Sequence, residues 1–145
     1  MKNKIKGTIS VKKTQSAVLE YNEPLLLKAL VKVQSESDDF KPEAIDNGRI
    51  GLKANIPHGP LSIAHRGIVV IDCGFSLELT SGYKAIVAPM PDLARRGCMF
   101  LNPYIYEGKV TATLINLGRE ILTLEHKQMF GCLQVEQIYY PEITL

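Results

Sequence analysis

Cysteine and histidine are the residue types of this sequence best suited to ligate a metal or to attack a substrate. The chain has three of each, namely Cys73, Cys98, Cys132, His58, His65 and His126. No cysteine belongs to a Cys-x-x-Cys motif, and the histidines lack the spacing of zinc ligands. We therefore predict reduced, mostly buried thiols, and we expect neither a metal site nor a cofactor.

Basic residues are the next candidates, because lysine and arginine bind phosphate groups. The net charge is only +2, too small to indicate nucleic-acid binding by the domain as a whole. Five lysines nonetheless lie within the first thirteen residues: Lys2, Lys4, Lys6, Lys12 and Lys13. This arm could contact phosphates without reading a base sequence, or it could keep a strand edge soluble. We expect no other contact with nucleic acid.

The elements that must position these residues are mostly short β-strands. Apolar and polar residues alternate over 4–11, and short apolar runs recur along the chain between turn residues. The predicted strands span 4–11, 25–33, 50–55, 61–64, 67–72, 75–79, 83–88, 99–102, 109–116, 121–124 and 130–138, with a loop over 34–47. Pro91 can begin a single helical turn that Gly97 ends. The pattern predicts an all-β sandwich or barrel with at most one short helical turn.

The length of 145 residues fits one domain with its own core. No apolar run approaches the roughly 20 residues of a membrane span, and no apolar segment follows the basic start, so we expect a cytoplasmic protein without a secretory signal. We predict an N-terminal extension over 1–24, a β domain over 25–138 and an apolar tail over 139–145.

The tail carries Tyr139, Tyr140, Ile143 and Leu145. Because solvation of so many large apolar side chains is unfavourable, we predict that the tail packs on another surface, and a neighbouring subunit is the natural candidate.

Five segments resemble, in their order, the superfamily of dUTPases and dCTP deaminases. They span residues 75–83, 87–97, 106–110, 114–118 and 128–133. Within them, Asn116-Leu117-Gly118 is similar to the Asn-x-Gly hairpin of that superfamily. The resemblance implies a jelly-roll-like β-clip domain and a homotrimer whose active sites lie at subunit contacts. Degenerate relatives of this kind are found in viruses and phages, and we expect such an origin here.

The resemblance also implies which positions should hold reactive groups. The first aspartate of the family would fall on Gly51 or Lys53, depending on the register. Its phosphate-binding arginine and serine positions carry Met90 and Pro91, and Asp92 places a negative charge where a phosphate would lie.

The remaining positions differ as well. The water-activating aspartate falls in a stretch that holds Pro103, the deaminase glutamate falls on Thr113, and Gln128 stands where the family has an arginine. The glycine-rich arm that closes over the triphosphate has no counterpart in this sequence. Arg95 does match an arginine of the deaminase branch. We therefore predict no catalytic residues.

Four functions follow from these observations. The leading prediction is a non-enzymatic trimer that binds other proteins, with a host or viral protein as the partner that it inhibits. The second is a nucleotide sensor or sponge without turnover, with a pocket around Lys84, Arg95, Arg96 and Asn102. The third is a virion accessory protein. The fourth, an active dUTPase or dCTP deaminase, is the least favoured because so many reactive groups are replaced.

Overall fold

The strands follow an alternation of buried and exposed side chains, in a computed structural model that describes residues 31–46 and 48–144. In the strand Glu107–Asn116, for example, Val110, Ala112 and Leu114 are buried, whereas Thr111 and Thr113 are half-buried. Successive side chains of a strand point to opposite faces, so one face of this strand enters the core.

Eleven strands are present among the described residues. They are β1 (Val31–Ser35), β2 (Ala44–Asp46), β3 (Arg49–Lys53), β4 (Leu61–Ile63), β5 (Ile68–Leu79), β6 (Tyr83–Pro89), β7 (Cys98–Leu101), β8 (Tyr104–Ile105), β9 (Glu107–Asn116), β10 (Leu122–Leu124) and β11 (Met129–Gln137). A 3₁₀ turn (Asp38–Phe40) and a short helix, α1 (Pro91–Arg95), complete the elements. The prediction of an all-β chain with one short helical turn is confirmed.

The strands form two antiparallel sheets and a small ribbon. The four-stranded sheet has the order β1-β5-β9-β7, the five-stranded sheet has the order β2-β3-β11-β6-β8, and β10 pairs with β4. Both sheets and the ribbon contribute to one core, which includes Leu52, Phe75, Leu114, Leu124 and Phe130. These residues expose at most 1% of their surface.

The outer face of the four-stranded sheet is apolar and open in a single chain. Ile68 and Val70 of β5 are 60% and 63% exposed, and Met99 of β7 is 49% exposed. Ile115 of β9 lies between Ile68 and Met99 in the register of the sheet. We call Ile68, Val70, Met99 and Ile115 the outer apolar face.

Two of the predicted strands, 67–72 and 75–79, are in fact the single strand β5. Its pairing with β9 shifts in register between Asp72 and Ser76. Gly74 lies in this irregularity with φ +77°, and its N–H donates to Asp72 Oδ1 at 2.9 Å. Gly74 therefore forms a bulge inside a continuous strand, at the point where the two predicted strands were separated.

The predicted loop over 34–47 was also wrong in part. It contains the end of β1, the 3₁₀ turn and β2. The strand β2 has three residues and lies at the edge of its sheet beside β3, so it leaves no clear pattern in the sequence. The strand β8, which follows Pro103, was not predicted. The predicted strand over 4–11 and the extension over 1–24 lie outside the described residues. Within the described part of the chain, no helix has the length and apolar character that crossing a bilayer requires.

Candidate functional site

Helix α1 contacts β7, and the residue before it is hydrogen-bonded to β11. Pro91 is the first residue of the helix, where the backbone N–H has no partner within the helix and its absence costs no hydrogen bond. Leu93 is buried. The backbone N–H of Met90 donates to the carbonyl of Phe130 at 3.0 Å. Met90 and Pro91 are therefore fixed beside β11.

Gly51 lies in β3, opposite Cys132 of β11. A Cβ atom on Gly51 would lie 2.5 Å from Cε and 2.9 Å from Sδ of Met129. The thioether of Met129 thus occupies the space that an aspartate at position 51 would need. We call Gly51 and Met129 the filled site.

Lys53 and Gln128 each bind a neighbouring turn. Lys53 Nζ lies 3.3 Å from the carbonyl oxygen of Asp39 and 3.7 Å from Glu43 Oε2. Gln128 Oε1 accepts from the backbone N–H of Glu125 at 2.9 Å. Both side chains are therefore held by neighbouring groups of the described chain.

Arg49 provides another cation in β3, but its charge is compensated. Its guanidinium pairs with Asp46, with Nε 2.9 Å and 3.0 Å from the two carboxylate oxygens, and Nη1 lies 3.7 Å from Cys132 Sγ. The hydrogen bonds from Arg49 lower the pKa of the Asp46 carboxyl. This pair fixes β2 against the start of β3.

The three cysteines are free and buried, as predicted. Burial raises the pKa of the Cys73 thiol to about 12 and that of the Cys98 thiol to about 11. Since the thiolate is the nucleophile, neither thiol is poised for covalent catalysis at neutral pH.

The hairpin that follows β7 exposes aromatic rings. Asn102 has φ +52°, and the carbonyl of Pro103 accepts from the N–H of Val87 at 2.8 Å. Lys84 Nζ lies 4.6 Å from the centre of the Tyr104 ring, within the range of a cation–π contact. Tyr104 and Tyr106 are 51% and 57% exposed.

The structure places Thr113 and Asp92 on different elements, β9 and α1. Thr113 sits on β9 between Val70 and Leu101, next to the outer apolar face. Asp92 is exposed in the first turn of α1. Tyr139 and Tyr140 are each 80% exposed, and Leu145 lies outside the described residues.

An open cleft of about 410 Å³ lies at the C-terminal end of α1. Its lining consists of Arg95, Arg96, Gly97, Gly118, Arg119 and Glu120. Of the predicted pocket, the structure brings Arg95 and Arg96 together here, whereas Lys84 lies against Tyr104 and Asn102 is in the hairpin. Arg119 was missed, because it reaches the cleft through a contact between two segments that are distant in sequence. We call this site the cationic cleft.

The sequence is similar to bacterial enzymes of nucleotide metabolism. The deoxyuridine 5'-triphosphate nucleotidohydrolase of Agrobacterium fabrum is 32% identical over 113 residues, which cover 72% of this chain and 71% of the relative. The chain belongs to the dUTPase family. Further bacterial dUTPases are 28% to 38% identical over shorter stretches. No protein-family model matches the sequence.

Solved dUTPase structures share the fold. The EIAV dUTPase superposes with a TM-score of 0.68 at 15% identity, covering 80% of this chain and 95% of that one. The dUTPase of phage phi11 of S. aureus superposes with a TM-score of 0.64 at 13% identity, covering 79% and 94%. The predicted dUTPase-like β-clip fold is therefore confirmed.

These relatives contradict the prediction of a non-enzymatic interaction module. Each of the bacterial matches carries the name of a nucleotidohydrolase, and together they point to hydrolysis of dUTP. The prediction relied on single side chains at matched positions, whereas the similarity runs through most of the chain. The expectation that this dUTPase-family chain is not an enzyme is wrong. The relatives favour the least favoured of the four predicted functions, that of an active enzyme of the dUTPase type.

The resemblance to dUTPases would imply a metal ion held by protein carboxylates. The residues at the matched positions do not fit such an ion. Met129 fills the space at Gly51, and Pro103 has no side-chain oxygen. Over residues 31–46 and 48–144, no three side chains of histidine, cysteine, aspartate or glutamate are grouped to hold a metal ion. Any function of this dUTPase-family chain must be argued from other residues.

Proposed function

We propose that this chain hydrolyses a deoxynucleoside triphosphate of the dUTP type. The similarity to the Agrobacterium dUTPase, 32% over 113 residues, carries the proposal. Relatives at this level of identity that share a name commonly share a reaction class, although the fold alone would not establish it.

We place the nucleotide base at the hairpin of Tyr104 and Tyr106. Exposed aromatic rings provide flat faces on which a base can stack. The ammonium of Lys84 lies over the Tyr104 ring at 4.6 Å and restricts its position. A ring that is held in place before binding loses less entropy when the base arrives.

We propose Glu43 as the carboxylate that activates water. Its backbone carbonyl accepts from the N–H of Gly51 at 3.0 Å, so Glu43 flanks the strand position at which the family carries its first aspartate. Its side chain is 65% exposed, with Lys53 Nζ at 3.7 Å. Because β2 and β8 are the two edges of the five-stranded sheet, Glu43 would act on a nucleotide whose base stacks on the hairpin of a neighbouring subunit. A carboxylate in this place can accept a proton from a water molecule beside β3.

Release of pyrophosphate from dUTP in the presence of magnesium tests the reaction. We expect turnover by the unmodified chain and a loss of roughly 10² to 10⁴ in kcat for Glu43→Gln. The matched control is Glu125→Gln, which removes an exposed carboxylate in the turn before β11. Absence of pyrophosphate with dUTP and with the other deoxynucleoside triphosphates would overturn the proposed reaction. Equal kcat values for the two variants would overturn the role of Glu43.

We further propose that the chain forms a homotrimer and that the outer apolar face lies in the subunit contact. Ile68 and Val70 are more than half exposed in the single chain, and contiguous apolar patches of this kind commonly mark protein interfaces. The exposed Tyr139, Tyr140 and Ile143 support a second contact through the tail. The mass in solution tests this assembly. Val70→Lys should lower it, and an unchanged mass would exclude the outer apolar face from the contact.

Several predictions from the sequence stay predictions. They concern the domain boundaries, a phage or viral origin, a protein partner, and the loss of the family's roles at Gly51, Met90, Pro91, Asp92, Pro103, Thr113 and Gln128. We also propose a cytoplasmic location, because the three buried cysteines are free thiols, as in reducing compartments.

A further inference from the structure

The cationic cleft concentrates positive charge in a small volume. Three guanidinium groups and one carboxylate, that of Glu120, line about 410 Å³. Arg95, Arg96 and Arg119 are all exposed. Two of these arginines come from α1 and its end, and the third comes from the turn after β9, so the fold brings together charges that are distant in sequence.

Close contact of two backbone segments builds the cleft. The N–H of Leu117 donates to the carbonyl of Gly97 at 2.9 Å. A Cβ atom on Gly118 would overlap the carbonyl oxygen of Arg96, and one on Gly97 would overlap the backbone of Gly118. Only glycine therefore permits this approach, which sets Arg96 and Arg119 on the walls of one cleft.

Asn116 fixes the turn that carries Arg119. Its side chain is fully buried, donates to the carbonyls of Ile63 at 2.9 Å and Glu120 at 2.8 Å, and accepts from the N–H of Gly118 at 2.9 Å. A buried polar group with all these bonds satisfied rigidifies its surroundings. The backbone that presents Arg119 is thus set before any ligand arrives.

The three arginines have no carboxylate partner in the described part of the chain. The ion pairs found there involve Lys32, Arg49, Lys53, Lys109 and Lys127. The side chain of Arg96 donates from Nη2 to the carbonyl of Ile121 at 3.4 Å. Guanidinium groups without a counter-ion favour an anion, and their planar fork matches the oxygens of a phosphate.

We propose that the cationic cleft binds an oligophosphate anion, either free or as the phosphate chain of a nucleotide. Its volume lies in the range of small-molecule pockets, which suits an ion of two or three phosphates rather than a polymer. Three cations against one carboxylate leave the cleft positive enough to hold several negative charges. The inference requires no turnover, so it goes beyond the proposed hydrolysis and does not depend on it.

Titration calorimetry with inorganic tripolyphosphate at low salt tests the site. We expect the double variant Arg96→Gln/Arg119→Gln to bind at least about tenfold more weakly than the unmodified chain. The control Lys32→Gln/Lys41→Gln makes the same change in net charge at exposed positions away from the cleft, and we expect it to remain within about twofold. Equal losses in the two double variants, or no binding by the unmodified chain, would overturn the site.

Amide chemical shifts locate the anion without any substitution. Tripolyphosphate should shift the N–H signals of Gly97 and Gly118 in the unmodified chain, and shifts confined to other segments would contradict the proposal. A parallel titration with an imido analogue of dUTP, which resists hydrolysis, separates the two sources. Loss of analogue binding in Arg96→Gln/Arg119→Gln assigns the phosphate chain of a nucleotide. If this variant loses tripolyphosphate binding but still binds the analogue, the ligand of the cationic cleft is a free oligophosphate.

Discussion

The surroundings of α1 differ between its two ends. At the N-terminal end, Met90 and Pro91 lie beside β11, whose Met129 fills the space next to Gly51. At the C-terminal end, Arg95 and Arg96 line an open cleft with Arg119. Apolar residues flank the N-terminal end, whereas a rigid polar turn lines an open cleft at the C-terminal end. A position within a motif therefore does not by itself decide which chemistry is available there, because the packing around it decides as well.

The cationic cleft should be broken most severely by a side chain at Gly118. Its Cβ would overlap the carbonyl oxygen of Arg96, so we expect Gly118→Ala to lower the free energy of unfolding by about 3 kcal/mol. The control is Gly82→Ala, where φ is +91° but no atom lies near the new Cβ, and we expect about 1 kcal/mol there. Denaturant unfolding measures both, and equal losses would show that the two segments separate easily.

Removal of the Asn116 side chain should come next in size. Asn116→Leu leaves two carbonyls and one N–H without their partner in a buried site, at a cost of about 2–4 kcal/mol in the free energy of unfolding. Asn55 provides the comparison, because its two side-chain bonds to Glu36 and Asp72 are at least partly solvated. We expect Asn55→Leu to cost about 1 kcal/mol. A larger loss for Asn55 in thermal unfolding would contradict the role of Asn116.

The filled site can be tested with a double-mutant cycle. Gly51→Ala should cost about 1–2 kcal/mol, because the new Cβ meets Met129. The same substitution made together with Met129→Ala should cost less, with a coupling of at least about 0.5 kcal/mol in unfolding free energy. Additive losses would show that Met129 does not occupy the space beside Gly51.

The smallest effect concerns the ion pair of β2 and β3. Arg49 lowers the pKa of Asp46 below its ordinary value of 3.8, so the stabilisation is present above that pH and is lost as the pH falls through the folded pKa. Asp46→Asn removes the titrating group and should make the decline of stability below about pH 4 slightly shallower. Because both groups are well solvated, the change should be small and should vanish in high salt. Asp38→Asn, which removes a carboxylate outside the ion pairs of the described residues, is the control for acid unfolding curves.

The sequence predicted most strands but not their continuity. Short apolar runs between turn residues located β3, β6, β9 and β11 within a residue or two. The prediction divided β5 between residues 72 and 75, and only the pairing with β9 shows that Gly74, with its positive φ, belongs to a bulge. The two-residue strand β8 follows a proline and has too few residues for any periodicity.

The cationic cleft was predictable only in part. Arg95 and Arg96 are adjacent in the sequence, and the prediction grouped them with Lys84, which instead lies over Tyr104. Arg119 reaches the same cleft because Gly97 and Gly118 let two backbones touch, and this contact leaves no pattern in either segment. For the filled site, the residue types predicted only that the family's reactive groups are replaced at Gly51 and Met90. The part played by Met129 depends on strand register, which the sequence does not reveal.

The three buried thiols are distributed over both sheets. Cys73 and Cys98 belong to β5 and β7 of the four-stranded sheet, and Cys132 belongs to β11 of the five-stranded sheet. An alkylating reagent reaches each sulfur only when the strand that carries it opens. The order in which the three are labelled under native conditions therefore records which layer of the protein separates first.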